Sequence, residues 1–267
     1  MKKFFISLIG AACFTVIVVS CNKQEGVEVA PTQDREPTSI IDLMEKEEGV
    51  KFFKKDVSLK DEASGSEVIM RIASRSEEEL KLYLSTYELT IMPIFQSNAK
   101  SDNFDRKTNS GLSPDLSNSM NIITESIKVK LSANAIGYRL GVHLNSSANN
   151  EIKKNGRVAT SYTSYAQHIS EVWPEQIKIT IQNENGGGAR RVDLAVDQRW
   201  RWWSGWEPFL GWRTLSSFQN APDTWYGNVD GPWKCRANVH YTPLFCGVCQ
   251  IGYNGNGPGY SIEFLQY

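Results

Sequence analysis

Residues 138–144 read Tyr138-Arg139-Leu140-Gly141-Val142-His143-Leu144, with four apolar side chains on one parity and a cation, a glycine and an imidazole on the other. Successive side chains of an extended chain point to opposite faces, so this stretch is a strand with one buried face and one wet face. The same alternation recurs in Ile123, Ile127, Val129 and Leu131, in Ile177, Ile179 and Ile181, and in Tyr260, Ile262 and Phe264. A longer run places Val192, Leu194, Val196, Gln198, Trp200 and Trp202 on one side and Asp193, Asp197, Arg199 and Arg201 on the other. One-sided burial belongs to antiparallel sheets, because parallel sheets covered by helices on both faces read as continuous apolar runs. The expectation for residues 120–267 is therefore a mainly β fold, an antiparallel β-sandwich of jelly-roll-like or Ig-like kind, with a closed barrel as the alternative. Ile127, Val129, Leu140, Val142, Ile177, Ile179, Leu194, Val196, Trp200 and Ile262 are its expected core, and Gly186-Gly187-Gly188 reads as a hairpin connection.

Upstream, residues 39–95 form a small N-terminal α+β segment. Val68, Met70 and Ile72 alternate as a strand does, and Ser76 with Glu79 makes a capping box for a helix whose Leu80, Tyr83, Leu84 and Tyr87 share a face. Leu89, Ile91 and Pro93 suggest a strand that ends early. So short a segment buries little by itself and is expected to pack against the larger part. Residues 96–119, rich in Ser, Asn, Asp and Lys, read as a linker. Charge shifts across it: residues 21–119 hold 13 basic and 19 acidic side chains, residues 120–267 hold 14 and 11. Asp102 and Asp105 lack EF-hand spacing, so no calcium is assigned to them. Residues 21–38 carry two prolines, several acids and almost nothing large and apolar, the composition of a flexible tether.

Lys2 and Lys3 precede sixteen mostly apolar residues, 4–19, and the run closes on Val18-Val19-Ser20-Cys21. Residues 1–20 thus read as a signal peptide, too short to span a bilayer comfortably. Two aliphatics, a small residue and a cysteine resemble the lipobox of bacterial lipoproteins. That resemblance covers about the first 21 residues and implies that Cys21 is acylated, that the bilayer is the partner of its acyl chains, and that the mature protein is held in the cell envelope. Asn22 stands where an inner-membrane retention signal would have Asp, which points toward the outer membrane. A net charge of −1 gives no field to gather nucleic acid, and a mean hydropathy of −0.38 excludes a polytopic membrane protein.

Seven of the eight tryptophans lie between residues 200 and 233. Parity sends Trp200 and Trp202 toward the core, and Trp212 reads the same way. Trp203, Trp206, Trp225, Tyr226 and Trp233 fall in loop contexts with Arg213, Asp223, Asn228 and Asp230 among them. Flat apolar rings beside hydrogen-bonding groups are what a glycan site requires, so these nine residues are the candidate ligand set. The alternative is an envelope scaffold or adhesion protein whose aromatics meet a protein partner. A glycosidase-like enzyme ranks third: Glu207, Asp223 and Asp230 could supply carboxylates, but no hydrolase, metalloprotease or nucleotide-binding motif is present and no catalytic residue is assigned. His143 and His168 read as surface or satisfied polar residues. Cys235, Cys246 and Cys249 are the disulfide candidates, an odd number in an oxidising compartment, with Cys246 to Cys249 favoured. A tight hairpin of Cys235–Tyr241 with the strand of Ile251 and Tyr253 would place His240 opposite Cys249. The set has one C-x-x-C, so neither a metal nor a cofactor is assigned.

Overall fold

The computed structural model describes residues 39–95, 112–145, 147–148, 162–170, 176–182, 190–217, 224–229, 231–243 and 259–265. Two helices and twelve strands follow one another among them. These are α1 (Ile40–Glu48), β1 (Phe53–Asp61), β2 (Ser66–Ser74), α2 (Glu77–Thr86), β3 (Tyr87–Phe95), β4 (Met120–Lys130), β5 (Ala135–Leu144) and β6 (Ser164–Ile169), followed by β7 (Gln176–Gln182), β8 (Arg190–Arg199), β9 (Glu207–Ser217), β10 (Thr224–Asn228), β11 (Lys234–Thr242) and β12 (Gly259–Leu265). They make a seven-stranded sheet, β1-β2-β4-β6-β11-β8-β9, and a five-stranded sheet, β10-β7-β12-β5-β3. Every pairing is antiparallel except β4 with β6. The inner faces of both sheets share one core, which includes Val68, Met70, Ile122, Leu194, Val196, Ala237 and Val239 from the larger and Tyr138, Leu140, Val142, Ile177, Tyr260, Ile262 and Phe264 from the smaller. The fold is the expected mainly β, two-sheet arrangement.

The N-terminal segment has the α+β content expected of it, but its strands are built into the sandwich. β1 and β2 extend the larger sheet beyond β4, and β3 is an edge of the smaller one. Pro93 does not end β3, which runs to Phe95; an edge strand tolerates a residue with no N–H to donate. α2 connects the two sheets and sends Leu80 and Tyr83 into the shared core. Only half of its capping box forms. Ser76 Oγ accepts from the Glu79 amide, whereas the Ser76 amide donates to Ser74 Oγ and the Glu79 carboxylate accepts from Ser74 Oγ and the Asn121 amide.

Three expectations are corrected by pairing. Ile127 is the extra residue of a bulge in β4: Ile69 faces Lys128 and Met70 faces Ser126. One inserted residue reverses parity, so Thr124 and Ser126 point inward, Ile127 is half-buried, and Ile123 turns to the outer face beneath α1. β8 ends at Arg199 in a turn, leaving Trp200 42% exposed, and Trp202 packs half-buried on the outer face of the larger sheet. β7 and β8 belong to different sheets and do not pair, so they are not the two arms of a hairpin; Gly186–Gly188 themselves lie outside the described residues. Ile179 lies on β7 with its side chain outside the described set.

On its outer face the larger sheet carries a second apolar cluster. Ile40, Ile41 and Met44 of α1 pack with Phe52, Ala73, Ile123, Ile169 and Trp233, flanked by Trp202 and Trp206. α1 is fastened there by Glu125, a buried carboxylate on β4 that accepts from Ser39 Oγ at 2.6 Å, the Ile40 amide at 2.7 Å and the Ile41 amide at 3.3 Å. Those amides have no partner within the helix, and a negative group at a helix N-terminus also meets the positive end of its dipole.

Candidate functional site

The tryptophan-rich stretch is largely structural. Trp225 lies on β10 and enters the shared core at 6% exposure, and Trp233, also 6% exposed, belongs to the outer cluster. Neither ring has a free face for a sugar, which removes both from the candidate ligand set. Their loop-like neighbours misled: Trp225 sits in a five-residue strand paired with β7. Trp206 is half-buried, its ring covered by the Arg236 guanidinium at 4.4 Å. Trp203, at 62% exposure, is on the surface, with Arg201 over its ring at 5.4 Å. Arg213 is half-buried on β9 and Asn228 is exposed at the end of β10. Tyr226 is on β10 with its side chain outside the described set, and Asp223, Asp230, Cys21, Cys246 and Cys249 also lie outside the described residues.

Arg199 organises this region. It is 1% exposed, donates through Nη2 to the Trp202 carbonyl at 2.6 Å and to Glu47 of α1 at 2.8 Å, and lies over the rings of Trp206 and Trp233 at 5.9 and 6.0 Å. A planar cation that both stacks and donates suits such a place.

Beside this cluster, still on the outer face of the larger sheet, is a pocket of about 470 Å³. Met44 and Phe52 give it apolar walls, and Tyr165 and Gln167 of β6 form its floor with Asn121 and Arg236. Both of its guanidinium groups are paired with carboxylates. Arg75 pairs with Glu48, Arg236 pairs with Asp197 at 2.6 Å, and Glu79 is occupied by Ser74 and Asn121. Gln167 donates to the Tyr165 hydroxyl at 3.0 Å, which in turn donates to Asn238 at 3.1 Å, while the Gln167 carbonyl oxygen is left buried and unpartnered. Burial raises the Tyr165 phenol above its ordinary value and keeps it neutral.

One step along the same face is a polar chain. Ser119, at the entrance to β4, lies 3.0 Å from Nε2 of His240, whose Nδ1 lies 3.4 Å from Asp193. All three residues are buried. His240 is flanked in register by Tyr165 on β6 and Asp193 on β8. Both edges of β11 are thereby taken, which excludes the hairpin that would have set His240 opposite Cys249. Thr214 and Arg191 also donate to Asp193, at 2.5 and 2.9 Å. Burial works to raise the Asp193 carboxyl, but these hydrogen bonds and that from His240 hold it below the ordinary value. Cys235 is a free, buried thiol that desolvation pushes up to about 12, so it is unreactive.

Sequence reading did not find Phe52, Asn121, Tyr165, Gln167, Arg236, Ser119 or Asp193 as site residues. The available signal was the density of polar groups at alternate positions 236, 238 and 240 and at 193 and 197, which alternation alone classes as a wet face. Register brings them together. No protein-family model matches the chain, and a search of curated proteins finds no match.

Proposed function

We propose that this is a lipid-anchored protein of the bacterial cell envelope that binds a neutral, hydroxyl-rich ligand, a glycan, in the pocket on the outer face of the seven-stranded sheet. The observation that carries the reading is the pocket's chemistry: an apolar and aromatic lining, both guanidinium groups already paired with carboxylates, and one uncommitted buried acceptor, the Gln167 carbonyl. Guanidinium groups that are already paired offer an anionic ligand little net gain, whereas a hydroxyl supplies the donor that Gln167 lacks. The anchor is Cys21, on the strength of the lipobox resemblance. In affinity electrophoresis the wild type should be retarded by a neutral polysaccharide and Tyr165→Ala should migrate as in a blank gel; equal migration of both with every polymer would defeat the reading. Cys21→Ala should shift the protein from the membrane to the soluble fraction, and an unchanged distribution would remove the anchor.

A second reading, an envelope scaffold or adhesion protein, is favoured by the exposed rings of Trp200 and Trp203 at the β8–β9 turn. Tryptophan dominates protein-interface hot spots. Photo-crosslinking from position 203 in intact cells should trap a discrete partner on that reading and none on the first.

A further inference from the structure

We propose that Ser119, His240 and Asp193 are a nucleophile, base and orienting acid, and that the protein hydrolyses carboxylic esters whose alcohol portion occupies the neighbouring pocket. The inference goes beyond the binding reading and does not rest on it. An ionised carboxylate can only accept, so His240 Nδ1, at 3.4 Å from Asp193, must carry the ring proton. In a neutral imidazole Nε2 is then the acceptor, and the hydrogen bond at 3.0 Å runs from Ser119 Oγ to it. That tautomer is the one a general base requires to take a proton from a serine. Thr214 and Arg191 hold Asp193 in place and ionised.

Position supports the chemistry. His240 and Asp193 lie on paired strands of one sheet, where backbone pairing leaves little freedom, and Ser119 immediately precedes β4, where the Met120 amide next to it is tied to the Thr163 carbonyl at 3.0 Å. Ser119 directly follows an exposed approach, with Ser117 and Asn118 open to solvent, so the nucleophile lies near the surface. The pocket adjoins it: Asn121 is two residues along β4, about 7 Å at strand spacing, and Tyr165 is the register neighbour of His240. The Ser119 amide is engaged by the Leu116 carbonyl, so the donor for a developing oxyanion is the side chain of Asn121. One N–H of that amide holds the Ser119 carbonyl at 3.2 Å and the other is uncommitted.

In the reaction Ser119 Oγ adds to the ester carbonyl carbon while its proton passes to His240 Nε2. The carbonyl–alkoxy bond then breaks, and the leaving alkoxide takes that proton and departs as the alcohol. Water adds to the acyl-serine, giving its proton to His240; the acyl–Oγ bond breaks, Oγ recovers the proton, and the carboxylic acid leaves. No redox partner is involved.

The test is a fluorophosphonate probe applied to the full chain, followed by mass mapping of the adduct and by p-nitrophenyl acetate turnover. The expected result is a single adduct on Ser119, formed at least a hundredfold more slowly in His240→Gln, with ester turnover falling by a similar factor in Ser119→Ala. A serine that merely satisfies a buried histidine would not be labelled. An unlabelled Ser119 in folded wild type, which needs no variant, would overturn the proposal, as would labelling unaffected by His240→Gln. Polysaccharide retardation is read separately, so either proposal can fail while the other stands.

Discussion

Trp225 and Trp203 illustrate how two residues of one type in one stretch come to play opposite parts. Trp225 is wrapped by both sheets, so Trp225→Ala should lower stability by about 3–5 kcal/mol in urea unfolding, through lost transfer energy and the cavity left behind. Trp203→Ala removes an exposed ring and should change stability by less than about 0.5 kcal/mol. His168 joins the sheets from inside, lying 2.7 Å from Thr124 Oγ1 and 2.8 Å from the Tyr260 hydroxyl. Burial lowers its pKa from 6.5 to about 3. As pH falls below 6.5 the unfolded chain takes up a proton that the native ring refuses until about pH 3, so the folded state loses stability through that window. Denaturation midpoints of wild type and His168→Gln should therefore converge between pH 7 and pH 4; a gap independent of pH would contradict this.

Strand β4 carries the most at the scale of elements. Its bulge at Ile127 splits it into two halves of opposite parity, and the half before the bulge serves both the interior, through Ile122 and Thr124, and the outer face, through Ile123 and Glu125. Glu125 is the link to α1. Glu125→Ala leaves the Ser39 hydroxyl and the Ile40 and Ile41 amides without their acceptor and should cost about 2–3 kcal/mol. Amide hydrogen exchange should locate that loss: protection should fall across residues 40–48 while β8 and β11 keep theirs. Uniform loss over the whole chain would show that α1 does not open separately.

The whole molecule is held by pairings that reach across the chain. β4 lies between β2 and β6, and β5 between β12 and β3, so residues 39–95 supply a neighbour to each sheet. Removing them would bare β4 and β5 as long edges, whereas the natural edge β1 is defended by Lys54, Lys55 and Lys60. A fragment of residues 112–267 should elute as aggregate in size exclusion, while residues 39–267 should give a monomer with a β-type circular-dichroism spectrum. A monomeric, cooperatively melting 112–267 fragment would show that the N-terminal strands are dispensable.

Period-2 alternation determined that this is a mainly antiparallel β protein, since Tyr138-Arg139-Leu140-Gly141-Val142 is encoded by local side-chain direction alone and needs no partner to be read, whereas two sheets rather than a closed barrel followed from strand order. The same local logic located α2 from Ser76 and the face of Leu80 and Tyr83. Everything that depends on which strand lies beside which was decided by tertiary structure. Ile127 reads as core until the partner strand shows a bulge, Pro93 reads as a terminator until β3 proves to be an edge, and Trp225 reads as a loop ring until β7 pairs with its backbone. The candidate site is of this second kind: Ser119, Tyr165, Asp193 and His240 come from four separate segments, and only strand order and register set them side by side. Alternation fixes the direction of a side chain relative to its own strand; its neighbours are chosen by hydrogen bonds between strands distant in sequence, which no local pattern encodes.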